Sequence, residues 1–137
     1  MNKLPPIRRI RQKHNRGCAC AAIATIIGVN YDTVMKKAFG NYWIYEPNPS
    51  LYTTDIMKII RYFGFSVKKT NEFNFDKRRA IIVLDLSSRW EPNIFHCIIW
   101  DPSFGGRFID PAWKEPEDRQ YYKRMWRKAN KETLIVS

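Results

Sequence analysis

The sequence predicts an α+β fold, and three observations carry that prediction. Apolar residues recur at helical spacing, with caps, as far as Gly64. Beyond it the apolar runs shorten, become β-branched or aromatic, and are bounded by turn residues. No repeat or low-complexity linker interrupts the 137 residues, so residues 1–137 read as a single domain with N-terminal helices packed on a C-terminal antiparallel sheet.

The first helix opens at Gly17-Cys18-Ala19-Cys20 and continues through small and apolar residues to Gly28, placed as a C-terminal cap. Asn30 and Asp32 offer cap oxygens to a second helix over 31–39, with Val34 and Ala38 on one face and Gly40 as the stop. A third runs over 53–63: Thr53 or Thr54 caps it, Ile56, Ile59, Ile60 and Phe63 form its stripe, and Gly64 ends it. Residues 65–70, 80–86, 94–100 and 106–110 read as strands, with Asp101-Pro102 and Gly105-Gly106 at turns. An amphipathic helix over about 117–130 turns Tyr122, Met125, Trp126 and Ala129 inward, and residues 133–137 are expected to close the sheet as an edge strand. Residues 41–52 and 71–79 read as loops.

Lysine and arginine total 24 against 13 acidic residues, a formal net charge of +11, which favours anionic partners. An acidic protein or nucleic acid would fit that charge, which does not by itself choose between them. Neither a signal peptide nor a membrane span is visible, so a cytoplasmic protein without a membrane partner is expected. Compactness fits a free-standing factor, virus-encoded or an effector. Three cysteines, Cys18, Cys20 and Cys97, are an odd number at irregular spacing and argue against a disulfide framework. With only His14 and His96 beside them, they also lack the paired ligand spacing of a structural zinc site, so no metal or cofactor is expected.

That leaves packing or catalysis for the thiols. His96 lies within one strand and Asp110 ends the next, and antiparallel neighbours can bring the two to one sheet face, giving the histidine an orienting acid. If the helix opening at Cys18 packs on that face, its N-terminus delivers a thiol to the imidazole, with the helix dipole favouring thiolate. Gln12, six residues before Cys18, can fold back to aim its side-chain amide at an oxyanion together with the Cys18 N–H.

With these residues the chain resembles the papain-like cysteine peptidases, most closely the compact bacterial branch that processes double-glycine bacteriocin leaders. The likeness rests on Gln12, on the helix CACAAIATIIGV, on DIMKIIRYFGF, and on the strand pair HCIIW and FIDP, spanning about 12–112. It implies that Cys18 is the nucleophile, His96 the general base and acid, Asp110 the orienter and Gln12 the oxyanion donor, with Cys20 structural. Ala19 stands where relatives often carry glycine, and Gly17 where many carry an acid. Residues 113–137 have no counterpart in that likeness. The same constellation serves an acyltransferase, a deamidase or a thioesterase, because either water or an amine can resolve an acyl-enzyme.

Blander readings stand beside these. Cysteines at a small-residue helix start are often buried hydrophobes, and a basic protein- or nucleic-acid-binding module could carry them without catalysis. His14 competes as base and Asp101 as orienter, although a solvated loop histidine and a turn aspartate explain those two. Gly105-Gly106 matches a leader cleavage signal yet is explained by a hairpin turn. Trp100 and Trp113 flank Asp110 as packing groups or as a shield for its contact with His96. Arg119, Lys123, Arg124, Arg127, Lys128 and Lys131 give the last helix a basic outer side, most simply a solvated face.

Overall fold

The computed structural model describes residues 3–13, 17–40, 51–71, 77–90, 95–112 and 119–137. Three helices come first: α1 (Cys18–Ile27), α2 (Tyr31–Phe39) and α3 (Thr53–Tyr62). β1 (Val67–Thr70), β2 (Ala80–Asp85), β3 (Phe95–Asp101) and β4 (Arg107–Ile109) follow, then α4 (Arg119–Ala129) and β5 (Asn130–Val136). The strands form one antiparallel sheet in the order β1-β5-β2-β3-β4. This is the expected α+β architecture. The expected loops over 41–50 and 72–76, together with His14 and Trp113, lie outside the described residues.

Each helix obeys local chemistry. Gly28 ends α1 at φ 73°, and its N–H donates to Ala24 O. Only glycine suits this site twice over, since a Cβ would also overlap the Pro5 ring. The Asn30 side chain accepts from the Asp32 N–H and starts α2. The cap expected of Thr53 or Thr54 falls instead on Tyr52. Asp55, in the first turn of α3, accepts the Tyr52 N–H at 3.1 Å, so the carboxylate supplies the capping oxygen and both threonines lie inside the helix.

Strand alternation divides the core into two layers. Ile81 and Val83 of β2, with Cys97 and Ile99 of β3, pack under α1, α2 and α3. Ala80, Ile82 and Leu84 of β2, with Ile98 and Trp100 of β3, pack under α4, where Tyr122 is buried and Met125, Trp126 and Ala129 cover the rest. β2 and β3 are covered on both faces, which is why they read as nearly unbroken apolar runs.

The last strand departs from expectation. β5 is interior, pairing with β1 on one side and β2 on the other. Thr133 to Val136 are all buried, as an interior strand requires, whereas β1 presents exposed Lys68 and Lys69 and takes the edge. Position at the end of the order in sequence was a poor guide to position in the sheet.

Residues 3–13 form a strap across α1. The Thr25 hydroxyl donates to Ala21 O and accepts the Ile10 N–H at 2.9 Å, while Arg79 Nη1 donates to Pro5 O and Ile26 O. The strap delivers Gln12 to the end of β4. Its N–H donates to Pro111 O at 3.2 Å. Among the described residues no helix is long and apolar enough to cross a membrane.

Candidate active site

Cys18 is the first residue of α1, following Gly17, and no side chain caps the helix there. Its sulfur therefore stands at the positive end of the helix dipole, beside first-turn N–H groups that have no partner within the helix. Cys18 keeps 9% of its surface exposed, while Cys20, one residue on, keeps 2%.

His96 and Asp110 meet as expected. His96 Nε2 donates to Asp110 Oδ1 at 2.8 Å, and the carboxylate is almost wholly buried. Two further groups fix that carboxylate: the Ala112 N–H donates to Oδ1 at 2.9 Å and the Tyr122 hydroxyl to Oδ2 at 2.8 Å. Because Nε2 is committed to Asp110, Nδ1 is left for the thiol, which hydrogen-bonds the imidazole.

The route by which they meet differs from the expected one. α1 packs on the face of Cys97 and Ile99, not on the face that His96 shares with Ile98. The contact forms because His96 is the second residue of β3, and the ladder with β4 begins only at Ile99↔Ile109. At His96 the strand is paired with Leu84 of β2 on one side, and on the other side it lies before the first pair with β4.

The charges support one another. A hydrogen bond from Cys97 does most to hold the Cys18 thiol well below its ordinary pKa, against burial, and His96 lowers it further by hydrogen bonding and by charge. Burial alone would lower the His96 pKa, yet Asp110 and Cys18 together raise it to about 10. For Asp110, burial is outweighed by the His96 bond and charge, the Ala112 N–H and the Tyr122 hydroxyl, so its pKa falls below the usual carboxylate value. These shifts favour a thiolate at Cys18 and an imidazolium at His96, backed by the Asp110 carboxylate. Cys20 is pushed up to about 12, by burial first and the Cys18 charge second, which favours the neutral thiol.

The competing residues have other work. Asp101 accepts from Arg107 Nε at 2.8 Å and from the Ser103 N–H at 2.9 Å, closing the β3–β4 turn. Gly105 and Gly106 sit in that turn at φ 82° and 90°. Trp100 is fully buried against Phe108, with ring centroids 5.0 Å apart, and packs in the layer beneath α4. Arg124, Arg127 and Lys128 are exposed on α4, as a solvated face requires. Among the described residues no group of three or more His, Cys, Asp or Glu is placed to hold a metal ion.

Sequence reasoning missed two participants. Tyr122 was expected only as an inward-facing residue, and Cys97 only as a spare thiol. An inward tyrosine needs a partner for its hydroxyl, and that was the available signal for the first. Nothing in the spacing pointed to the second.

No protein-family model matches the chain, and no curated protein does either. Solved structures do share its fold. A double-glycine-motif protease from an AMS/PCAT transporter, crystallised with the leader peptide, superposes with a TM-score of 0.64 at 14% identity, over 99% of this chain and 94% of that one. The peptidase domain of Streptococcus ComA, a bi-functional ABC transporter of a quorum-sensing pathway, gives 0.61 at 12% identity, over 93% and 96%. The Streptococcus mutans ComA peptidase domain gives 0.55 at 10% identity, over 95% and 98%. The chain therefore has the papain-like fold of the double-glycine peptidase domains.

Proposed function

We propose that the protein is a cysteine peptidase that cleaves a peptide or isopeptide bond through an acyl-enzyme on Cys18. The observation that carries this reading is the Cys18–His96–Asp110 constellation, with 2.8 Å between imidazole and carboxylate and the thiol hydrogen-bonded to the same ring.

The thiolate attacks the carbonyl carbon, forming a C–S bond while the carbonyl π pair moves to oxygen. The Cys18 N–H and the Gln12 side-chain amide receive that oxyanion, a role supported by the hydrogen bond from the Gln12 N–H to Pro111 O, one residue past Asp110. Imidazolium at His96 gives its proton to the departing nitrogen, and the C–N bond breaks to leave a thioester. A water molecule then loses a proton to His96 and attacks the thioester, and Cys18 departs as thiolate. Asp110 stays ionised throughout and keeps the ring oriented. The substrate is a peptide, as the leader peptide on the transporter protease suggests, and acidic segments are favoured by the net charge of +11. A cytoplasmic setting fits this reading.

Double-glycine leader peptides of varied charge, incubated with wild type and variants and followed by intact mass, test the reading. Cys18→Ala should abolish cleavage with unchanged circular dichroism, and Cys20→Ala should keep substantial activity. Equal loss in both, with both folded, would overturn the assignment of Cys18.

A further inference from the structure

Thr25 is a hydroxyl side chain, 1% exposed, in a helix that is otherwise cysteine, alanine and isoleucine. It has the shape of valine, so the buried oxygen needs a reason of its own. The hydroxyl carries one proton, which goes to Ala21 O at 2.8 Å rather than to Ile10 O at 3.4 Å. Its lone pairs are then free for the Ile10 N–H, which donates at 2.9 Å. This bond ties the strap to α1, about two turns beyond the residue that opens the helix, Cys18. Two extended residues cover about 7 Å, so what fixes Ile10 also limits where Gln12 can lie. The Gln12 N–H is held in turn by Pro111 O at 3.2 Å, one residue past Asp110. Gln12 is thereby bracketed between the helix that carries the thiol and the strand end that carries the acid. The next residue adds little, because Lys13 pairs with Asp32 at 3.1 Å across an exposed, screened surface.

We infer that Thr25 is a positioning residue for the oxyanion site: by accepting the Ile10 N–H, its hydroxyl fixes the strap so that the Gln12 amide stays in register with the Cys18 N–H. This rests on the reading of Cys18 as nucleophile and Gln12 as oxyanion donor. Without that bond the strap is still attached through Gln12 to Pro111 and through Pro5 to Arg79, so the chain stays in place while its middle shifts. Losing an oxyanion donor outright costs about 10²–10³ in kcat, and displacing one by about 1 Å forfeits part of that. KM should stay near the wild-type value, because the donor acts on an oxygen charge that develops only in the transition state.

The test is kcat and KM for cleavage of a double-glycine leader peptide by wild type, Thr25→Val, Thr25→Ala, Thr25→Ser, Gln12→Ala and the double variant Gln12→Ala with Thr25→Val, each checked by circular dichroism. Valine and alanine remove the acceptor and should lower kcat about tenfold, whereas serine keeps the oxygen and should keep kcat. In the Gln12→Ala background, Thr25→Val should cost nothing further, because Thr25 acts through Gln12. A general loosening of the protein would instead lower kcat by the same factor with or without Gln12. Valine keeps the volume and alanine removes the branch, so misfolding in one leaves the other to be read. Wild-type kcat in Thr25→Val or Thr25→Ala, a loss in Thr25→Ser as large as in Thr25→Val, or a full further loss in the double variant would overturn the positioning role alone. Wild-type kcat in Gln12→Ala would overturn the oxyanion reading and this inference together, and a wild type that cleaves no leader peptide would overturn the peptidase reading beneath both.

Discussion

Replacing Tyr122 by phenylalanine removes a single oxygen from beside Asp110. That oxygen donates to Asp110 Oδ2 at 2.8 Å from a side chain only 3% exposed. A hydrogen bond to a charged acceptor contributes about 1.5–3 kcal/mol, and the phenyl ring fills the same space, so no cavity cost is added. Asp110 has a depressed folded pKa, so its contribution to stability is present above the unfolded carboxylate pKa and is lost as pH falls through the folded one. Tyr122→Phe should therefore cost about 1.5–3 kcal/mol at neutral pH, with the gap to wild type narrowing as acid protonates Asp110 in both proteins. Urea unfolding at neutral and acid pH reads this directly, as a shifted midpoint with an unchanged slope. Equal midpoints at neutral pH, or a deficit that ignores pH, would refute the claim that the hydroxyl serves the carboxylate.

The other predictions concern the triad and the turn beside it. Asp110→Asn should retain measurable activity because an amide can still hold the ring, Asp110→Ala should lose much more, and His96→Ala should be inactive in the leader-peptide assay. Full activity in Asp110→Ala would reinstate Asp101. In the turn, Gly106→Ala should lower thermal stability by about 1–3 kcal/mol, since a Cβ would overlap the buried Trp100 ring and φ is 90°. Gly105→Ala meets nothing within 4 Å and should cost only its backbone strain, about 1–2 kcal/mol, so equal losses would show that Trp100 gives way.

Features governed by local rules were legible in the sequence. Helix stops at glycine, the Asn30 cap and the apolar stripe of α3 follow from neighbouring residues, and the structure places them as expected. The His96–Asp110 contact was legible because neighbouring antiparallel strands can bring such a pair together. What escaped depends on long-range pairing. The Tyr122–Asp110 and Cys97–Cys18 contacts join separate elements, and no periodicity encodes which element faces which. The side of the sheet taken by α1 was misjudged for the same reason, because alternation says which residues share a face but not which helix covers it.

The place of β5 sets the order in which the molecule can be completed. In a chain leaving the ribosome, Val67 emerges long before its partner Val136, and Ile81 long before Leu134. Among the described residues β1 pairs with no strand but β5, so until residues 130–136 exist it cannot join the sheet. β2 and β3 can pair as soon as both are made, while the β5-facing side of β2 stays open. Closure then requires a strand to enter between two others across a wide span of chain, a slow kind of contact to form. Cys18 is synthesised before the described strands, and β5, which makes the sheet continuous, after the other described elements.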